Sequence, residues 1–250
     1  MKALVTGASS GIGREISKYL STLGYDLILV SRDKEKLLSL QKEIKTNAKI
    51  VVADLSNIEK LKEIYVVCKN DNIDVLVNNA GFGLFGEFNE TNLETELNMI
   101  DLNIKAVHIL TKLFLKDMVK RDNGHILNVS SSASFASGPL MSTYYASKGY
   151  VTKLTLAIYE ELRRKKSNVH VSCLCPGPVK TNFNKVAGVK FKDKGLSSKE
   201  VAKYAVDNML KNKLIIIPGT KYKIAKFFSR FASEKVSLKF IYNFQKKKNK

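Results

Sequence analysis

The sequence predicts a doubly wound α/β fold, with a parallel sheet of about seven strands covered by helices on both faces. Three observations carry that expectation. Short runs of β-branched and aliphatic residues alternate with segments whose apolar positions recur at helical spacing, such as Ile16, Leu20 and Leu23, or Leu61, Ile64 and Val67. The strand runs are apolar nearly throughout rather than alternating, as strands buried on both faces are. No internal repeat, linker or low-complexity stretch interrupts the order, so strand, helix and strand repeat as right-handed crossovers.

In chain order the expected strands are residues 2–6, 26–30, 49–53, 73–77, 125–129, 169–175 and 213–217. A chain of 250 residues suits one domain of this type, expected over 1–220. Residues 221–250 read as an extension of it, because from Lys221 the composition turns to Lys and Phe without a further strand. Met1 to Gly7 already form a core strand entering a glycine turn, which leaves no room for a signal peptide. No apolar stretch nears the roughly 20 residues of a membrane span. Cys68, Cys173 and Cys175 are odd in number, and the spacing of the last two is read as placing them on opposite strand faces, unable to pair. A soluble chain in a reducing cytoplasm is the expectation.

The formal net charge of +19 raises nucleic acid as a partner. Only six of the 42 basic residues are Arg, the residue that grips phosphates and base edges with two prongs. Most Lys are scattered along solvent faces of helices. No zinc-finger, helix-turn-helix or RNA-binding aromatic pattern is present, and His108, His125 and His170 stand apart from other ligands. Neither nucleic acid nor a metal is expected.

Thr6-Gly7-Ala8-Ser9-Ser10-Gly11-Ile12-Gly13 follows the first strand and opens the first helix. Glycines there permit a tight turn, close approach of a pyrophosphate and close helix–sheet packing. Free N–H groups at the helix start then face the phosphates, helped by the helix dipole. The second strand ends Leu29-Val30-Ser31-Arg32, where a dinucleotide fold for NAD usually carries an acid and an Arg accommodates a 2′-phosphate. Arg32 is therefore read as a phosphate contact rather than a solvated loop charge, with Arg14 the next candidate. Asp33 follows one residue late and reads as a helix cap. Asp54, with Leu55 beside it, closes the third strand; Asp54 either caps the helix beginning near Ile58 or accepts from an adenine amino group.

Tyr144-Tyr145-Ala146-Ser147-Lys148 opens a long helix. Residues four apart share a helical face, so Tyr144 and Lys148 address the same space. An ammonium near a phenol lowers its pKa, making a tyrosine usable as an acid–base group. Asn128-Val129-Ser130-Ser131-Ser132 follows the fifth strand at the carboxyl edge, where a serine hydroxyl can donate to a carbonyl oxygen as charge develops on it.

Together the glycine turn, Asn78-Asn79-Ala80-Gly81, Asn103, Ser131, Tyr144, Lys148 and Pro176-Gly177 resemble the short-chain dehydrogenase/reductase family in identity, order and spacing, over about residues 1–217. The resemblance implies a Rossmann-like sheet, NADP(H) as cofactor and hydride transfer at a carbonyl or secondary alcohol. It implies Tyr144 as proton donor, Ser131 as holder of the substrate oxygen, Lys148 on the nicotinamide ribose and Asn103 on a relay water. Asn79 and Ala80 would line the adenosine ribose, and Pro176, Gly177, Val179 and Thr181 would clamp the nicotinamide. Ser131 is chosen among the serines because it stands thirteen residues before Tyr144, the family's usual spacing. Ser10 departs from members that carry a base there, so cofactor choice leans on Arg32. The glycine-containing C-terminal segment of tetrameric members is missing, so a homodimer is expected before a tetramer. The rival reading is a catalytically idle NADP-binding module attached to a membrane or sensing redox state.

Residues 182–198 read as a lid, with Gly188 and Gly195 inside it and Val186, Val189, Phe191 and Leu196 as its apolar lining, followed by a capping box at Ser197-Ser198-Lys199-Glu200. A hydrophobic carbonyl compound or 3-oxoacyl-type substrate fits that lining. Residues 221–250 hold ten Lys or Arg against Glu234 alone, with Ile224, Phe227, Phe228 and Phe231 on one helical stripe that Leu238 and Ile241 continue. This is the profile of an interfacial helix on anionic lipid at the inner membrane face, or of a helix packing its Phe face on the domain or a second copy.

Overall fold

Alternation of side chains along each strand sorts the core into two layers. In the computed structural model, which describes residues 1–189, 195–228 and 233–246, β1 (Lys2–Thr6) turns Ala3 and Val5 to one face of the sheet and Leu4 to the other. The second strand, β2 (Asp26–Ser31), sends Leu27 and Leu29 to the first face and Ile28 and Val30 to the second. Both faces are apolar because both are covered, which is why these strands read as unbroken hydrophobic runs.

The sheet continues through β3 (Ala48–Val52), β4 (Val75–Asn78), β5 (Gly124–Val129) and β6 (Val169–Leu174). Two short strands, β7 (Val179–Lys180) and β8 (Leu196–Ser197), pair with each other, and β9 (Ile215–Ile216) closes the edge beside β6. The seven main strands run in the order β3-β2-β1-β4-β5-β6-β9, all parallel. The β7–β8 pair was not foreseen, because two-residue strands carry no periodicity.

One layer is built from α1 (Gly11–Thr22), α2 (Lys34–Gln41) and, later in the chain, the helix at Ser198–Met209. They bury Ile16, Leu20, Leu37, Val201 and Ala205. The other layer holds α3 (Ile58–Cys68), α4 (Leu93–Ile100), α5 (Val107–Lys120) and α6 (Ser142–Arg164), burying Leu61, Ile64, Leu110, Phe114 and Leu162. Each such side chain contributes about 1.5–3 kcal/mol on burial. Between α4 and α5 the backbone widens into a π-helical turn, Asp101–Ala106, which carries the fully buried Asn103. The remaining helices are α7 (Phe183–Val186), α8 (Ser198–Met209), α9 (Thr220–Phe228) and α10 (Glu234–Lys246). None of the described helices is long and apolar enough to cross a membrane.

Strand order reverses between β1 and β4, so their following loops diverge and leave a crevice at the carboxyl edge. Local expectations met mixed outcomes there. Asp33 caps α2, accepting from the Lys36 N–H at 3.0 Å, and Ser197 with Glu200 forms the full capping box of α8. Asp54 does not cap α3. That role falls to Asn57, whose Oδ1 accepts from the N–H groups of Glu59 and Lys60 at 2.9 and 3.2 Å, while Asp54 accepts from the Ser56 N–H and hydroxyl. Cys173 and Cys175 also correct the sequence reading: alternate residues of an extended segment share a face, and their Sγ atoms lie 3.6 Å apart as free thiols.

Asn57→Ala removes two capping bonds and is expected to lower stability by about 1 kcal/mol, whereas Asp54→Ala changes it by a few tenths. Urea unfolding of both variants checks the assignment, and the reverse order would return the cap to Asp54.

Candidate active site

The crevice begins where two turns touch. Asn79, just after β4, donates from Nδ2 to the carbonyls of Thr6 and Gly7 at 3.0 and 3.2 Å. The Thr6 hydroxyl in turn accepts from the N–H groups of Asn79 and Ala80. Gly7 has φ +64°, and a Cβ there would meet the Ala80 Cα at 2.9 Å. One at Gly13 would meet the Gly7 carbonyl oxygen and Asn79 Nδ2 at 2.4 Å. Glycine is thus required by contact as well as conformation. Unlike α2, α3, α4 and α8, α1 has no side-chain cap, and its first turn holds no acid. The amides of Gly11 and Ile12 are left to the cavity that these residues line, as an anion site at a helix start requires.

That cavity measures about 880 Å³. It runs from Gly7, Ser9, Ser10, Gly11 and Ile12 past Ser31, Arg32, Asp54 and Leu55 at one end to Tyr144, Lys148, Pro176, Gly177, Val179 and Thr181 at the other, with Asn79 and Ala80 along its wall. Of the residues expected in a cofactor site only Gly13 is set back, packed under the turn. Thr181 stands close to Gly11, where a Cβ would lie 3.1 Å from its methyl group. At the open end the Ser31 hydroxyl donates to that of Ser9 at 2.8 Å. Arg32 reaches Asp54 at 3.8 Å, with its side chain 65% exposed. Arg14 is turned elsewhere, bonded to Glu43, Ser39 and the Lys36 carbonyl, and so ties α1 to α2.

At the inner end, α6 presents Tyr144 and Lys148 to one space. Ser131 lines the cavity with Tyr144 and accepts from the Ala133 N–H at 3.1 Å, whereas Ser130 donates to the Lys148 carbonyl and lies 2.8 Å from Thr152. Lys148 Nζ donates to the Val129 carbonyl at 3.0 Å and sits 6.0 Å from the Tyr144 ring centre. Asn103 donates to the Phe82 carbonyl and the Ser147 hydroxyl and accepts from the Phe82 N–H. Its Oδ1 and Lys148 Nζ crowd the same side of Gly81, at 2.7 and 3.3 Å from a hypothetical Cβ. The wide π-turn is what brings Asn103 this far in.

Electrostatics here differ from the sequence expectation. Burial pushes Tyr144 up to about 12, against the lowering effect of the Ser131 hydroxyl. Burial likewise lowers Lys148 to about 8, opposed by the nearby thiols of Cys173 and Cys175. Desolvation therefore outweighs attraction between the pair, and both groups are drawn toward their neutral forms.

Beyond Tyr144 the cavity turns apolar, with Phe82, Met141 and Phe183 along it and the Phe183 ring 5.4 Å from that of Tyr144. The expected lid is tied at its base by the β7–β8 ladder. Its lining is corrected: Val186 reaches the cavity, Val189 is buried beneath it with Met99 and Ala133, and Leu196 packs on the main core with α8. Phe191 lies outside the described residues, as does Phe231.

Comparison with known proteins agrees with this geometry. The family model for short chain dehydrogenases matches residues 1–190. The chain belongs to the short chain dehydrogenase family. An uncharacterized oxidoreductase of Staphylococcus epidermidis is 36% identical over 182 residues, covering 72% of this chain and 78% of that one. A 3-oxoacyl-[acyl-carrier-protein] reductase of Rickettsia prowazekii is 33% identical over 184 residues, covering 72% and 73%. Among solved structures, a short-chain dehydrogenase from Sphingobium yanoikuyae in complex with NADPH superposes with a TM-score of 0.82 at 27% identity, covering 92% of this chain and 94% of that one.

As a short chain dehydrogenase this chain is an oxidoreductase, and its cavity includes residues that sequence reasoning did not single out. Tyr145 lines it and accepts from Gln245 Nε2 at 2.6 Å. Tyr222, Phe244 and Gln245 enter from α9 and α10, and a Cβ on Gly177 would strike the Tyr222 ring at 2.0 Å. No local pattern marks a contact made across 100 residues of sequence.

Lys148 carries a testable stability penalty in this dehydrogenase. Its folded pKa of about 8 lies below the ordinary 10.5, so the unfolded chain holds the proton more tightly between those values. Parent stability then rises with pH across that window, by up to about 1.4 kcal/mol per unit. Lys148→Met is expected to be more stable than the parent at pH 7, with an advantage that shrinks toward pH 10. Urea unfolding at the two pH values measures it, and a constant difference would contradict the burial account.

Proposed function

We propose that this chain is an NADP(H)-dependent dehydrogenase/reductase acting between a carbonyl and a secondary alcohol, on a hydrophobic ketone or 3-oxoacyl-type substrate. The observation that carries the reading is the convergence of Ser131, Tyr144 and Lys148 on one cavity, with Asn103 behind them, at the junction of its glycine-turn end and its apolar end. When bound, the nicotinamide supplies or accepts the hydride. Tyr144 gives its proton to the substrate oxygen and Ser131 donates a hydrogen bond to the same atom, both groups acting where negative charge develops. Lys148 holds the nicotinamide ribose, and Asn103 anchors a water through which the proton of Tyr144 is replaced. A phenol pushed up to about 12 suits donation to a carbonyl oxygen better than abstraction from an alcohol. Cations on the ribose side lower it for the reverse direction.

The glycine turn and the open first turn of α1 fit a pyrophosphate, and Asn79 and Ala80 fit the ribose between. Pro176, Gly177, Val179 and Thr181 face the turn and clamp the nicotinamide. Arg32 supports NADP(H): it lines the same cavity as the bonded Ser9 and Ser31 hydroxyls, and a guanidinium is suited to a 2′-phosphate. Its exposed pairing with Asp54 is weak and free to open, leaving Asp54 and Leu55 for the adenine. The apolar end supports a hydrophobic substrate, and the likeness to the Rickettsia prowazekii reductase supports the 3-oxoacyl class.

Tyr144→Phe keeps the ring and deletes the donor. Turnover of a ketone panel, followed as NADPH absorbance at 340 nm, is expected to fall by a factor of about 100 or more, with NADPH affinity nearly unchanged. Activity within tenfold of the parent would sink the assignment.

Arg32→Asp replaces a phosphate partner with an acceptor for a ribose hydroxyl. The ratio of kcat/KM for NADPH over NADH is expected to drop by about tenfold or more. An unchanged ratio would place the 2′-phosphate elsewhere.

A further inference from the structure

α9 and α10 carry two faces with different uses. Inward, Tyr222, Phe244 and Gln245 line the cavity, and Gln245 is fully buried against Tyr145. Outward, α9 shows Ile224, Phe227 and Phe228, which are 51%, 55% and 63% exposed at positions i, i+3 and i+4. On α10 the outward stripe is Val236 and Phe240, spaced by four and 63% and 72% exposed. This corrects the sequence expectation, in which Leu238 and Ile241 continue the stripe: Ile241 turns partly inward, on the side of Gln245. The Phe face of α9 is therefore not used to pack on the sheet.

Around these aromatic residues the charge is almost entirely of one sign. Residues 221–250 hold ten Lys or Arg and one acid. Lys221, Lys223, Lys235, Lys239 and Lys246 are exposed on the same two helices. An exposed aromatic stripe flanked by lysines is the composition of a helix lying in a lipid interface, apolar side down and ammonium groups among the headgroups. A second copy of the chain is the poorer occupant, because a symmetric contact sets the same local +9 against itself. We propose that α9 and α10 form a docking surface for an anionic lipid bilayer, which brings the cover of the cavity to the membrane. Each lysine at such a surface multiplies partitioning about fivefold, so binding is reversible and salt-dependent.

The test is sedimentation of the full chain with phosphatidylglycerol–phosphatidylcholine vesicles and with pure phosphatidylcholine, in the absence of substrate, so that its result is independent of the hydride-transfer reading. The chain is expected to pellet with the anionic vesicles, to stay in solution with the neutral ones, and to be released as salt rises. Phe228→Ser with Phe240→Ser, and separately Lys235→Glu with Lys239→Glu, are each expected to cut partitioning by about tenfold or more. The lysine pair is exposed and tests the surface even where the apolar pair perturbs folding. Absence of pelleting with anionic vesicles, equal pelleting with neutral ones, or variants that bind like the parent would overturn the proposal. So would a Phe variant that turns a dimer into a monomer while leaving vesicle binding intact, which would make the face a contact between copies.

Discussion

The active-site cavity depends on how closely two turns approach at the carboxyl edge of the sheet. The Thr6–Gly7 turn after β1 and the Asn79–Ala80 turn after β4 meet through four hydrogen bonds around one hydroxyl and one amide. Such contact between backbones is possible because positions 7 and 13 lack a Cβ that would collide with main-chain atoms. The approach sets where α1 begins, and α1 delivers uncapped amides to the cavity floor. The first amides of a helix have no partner within it, and here they open on the cavity that Gly11 and Ile12 line.

A second constraint opposes the first in kind. The inner end of the cavity is built from groups that resist burial. Lys148 is 4% exposed and Tyr144 8%, and each is shifted toward its neutral form by the loss of water around it. The surroundings limit that penalty through directed bonds: the Val129 carbonyl accepts from Lys148, and the Asn103 amide, bonded to Ser147, closes the space behind. A site arranged this way is costly for the fold and ready for chemistry, because its polar groups are held in place before a ligand enters.

The C-terminal helices join the site to the exterior. Their inner residues touch the cavity near Tyr145 and Gly177, while their outer residues face solvent with an aromatic stripe among lysines. Motion of these helices would alter cavity access and surface together, since Gln245 and Phe240 stand on one short helix.

How much was legible in the chain follows from the range of each signal. Strands β1, β2, β4, β5 and β6 were readable because burial on both faces demands unbroken apolar runs, and the edge strand β3 by its β-branched residues although it is only half-buried. The cavity positions of the glycine turn, Ser131, Tyr144 and Lys148 were readable because these residues stand at fixed spacing on one loop or one helical face. The sequence by itself determined the sheet, its carboxyl-edge crevice and the loop and helix residues following β1 to β6 that line it. Tertiary structure alone decided three things. Asn57 rather than Asp54 caps α3, because the chain turns on Ser56 first. Tyr144 and Lys148 are shifted by burial more than by each other, because desolvation depends on atoms contributed by every layer. Tyr222 and Gln245 belong to the cavity, because contacts between distant segments are set by how the whole chain packs and leave no local pattern.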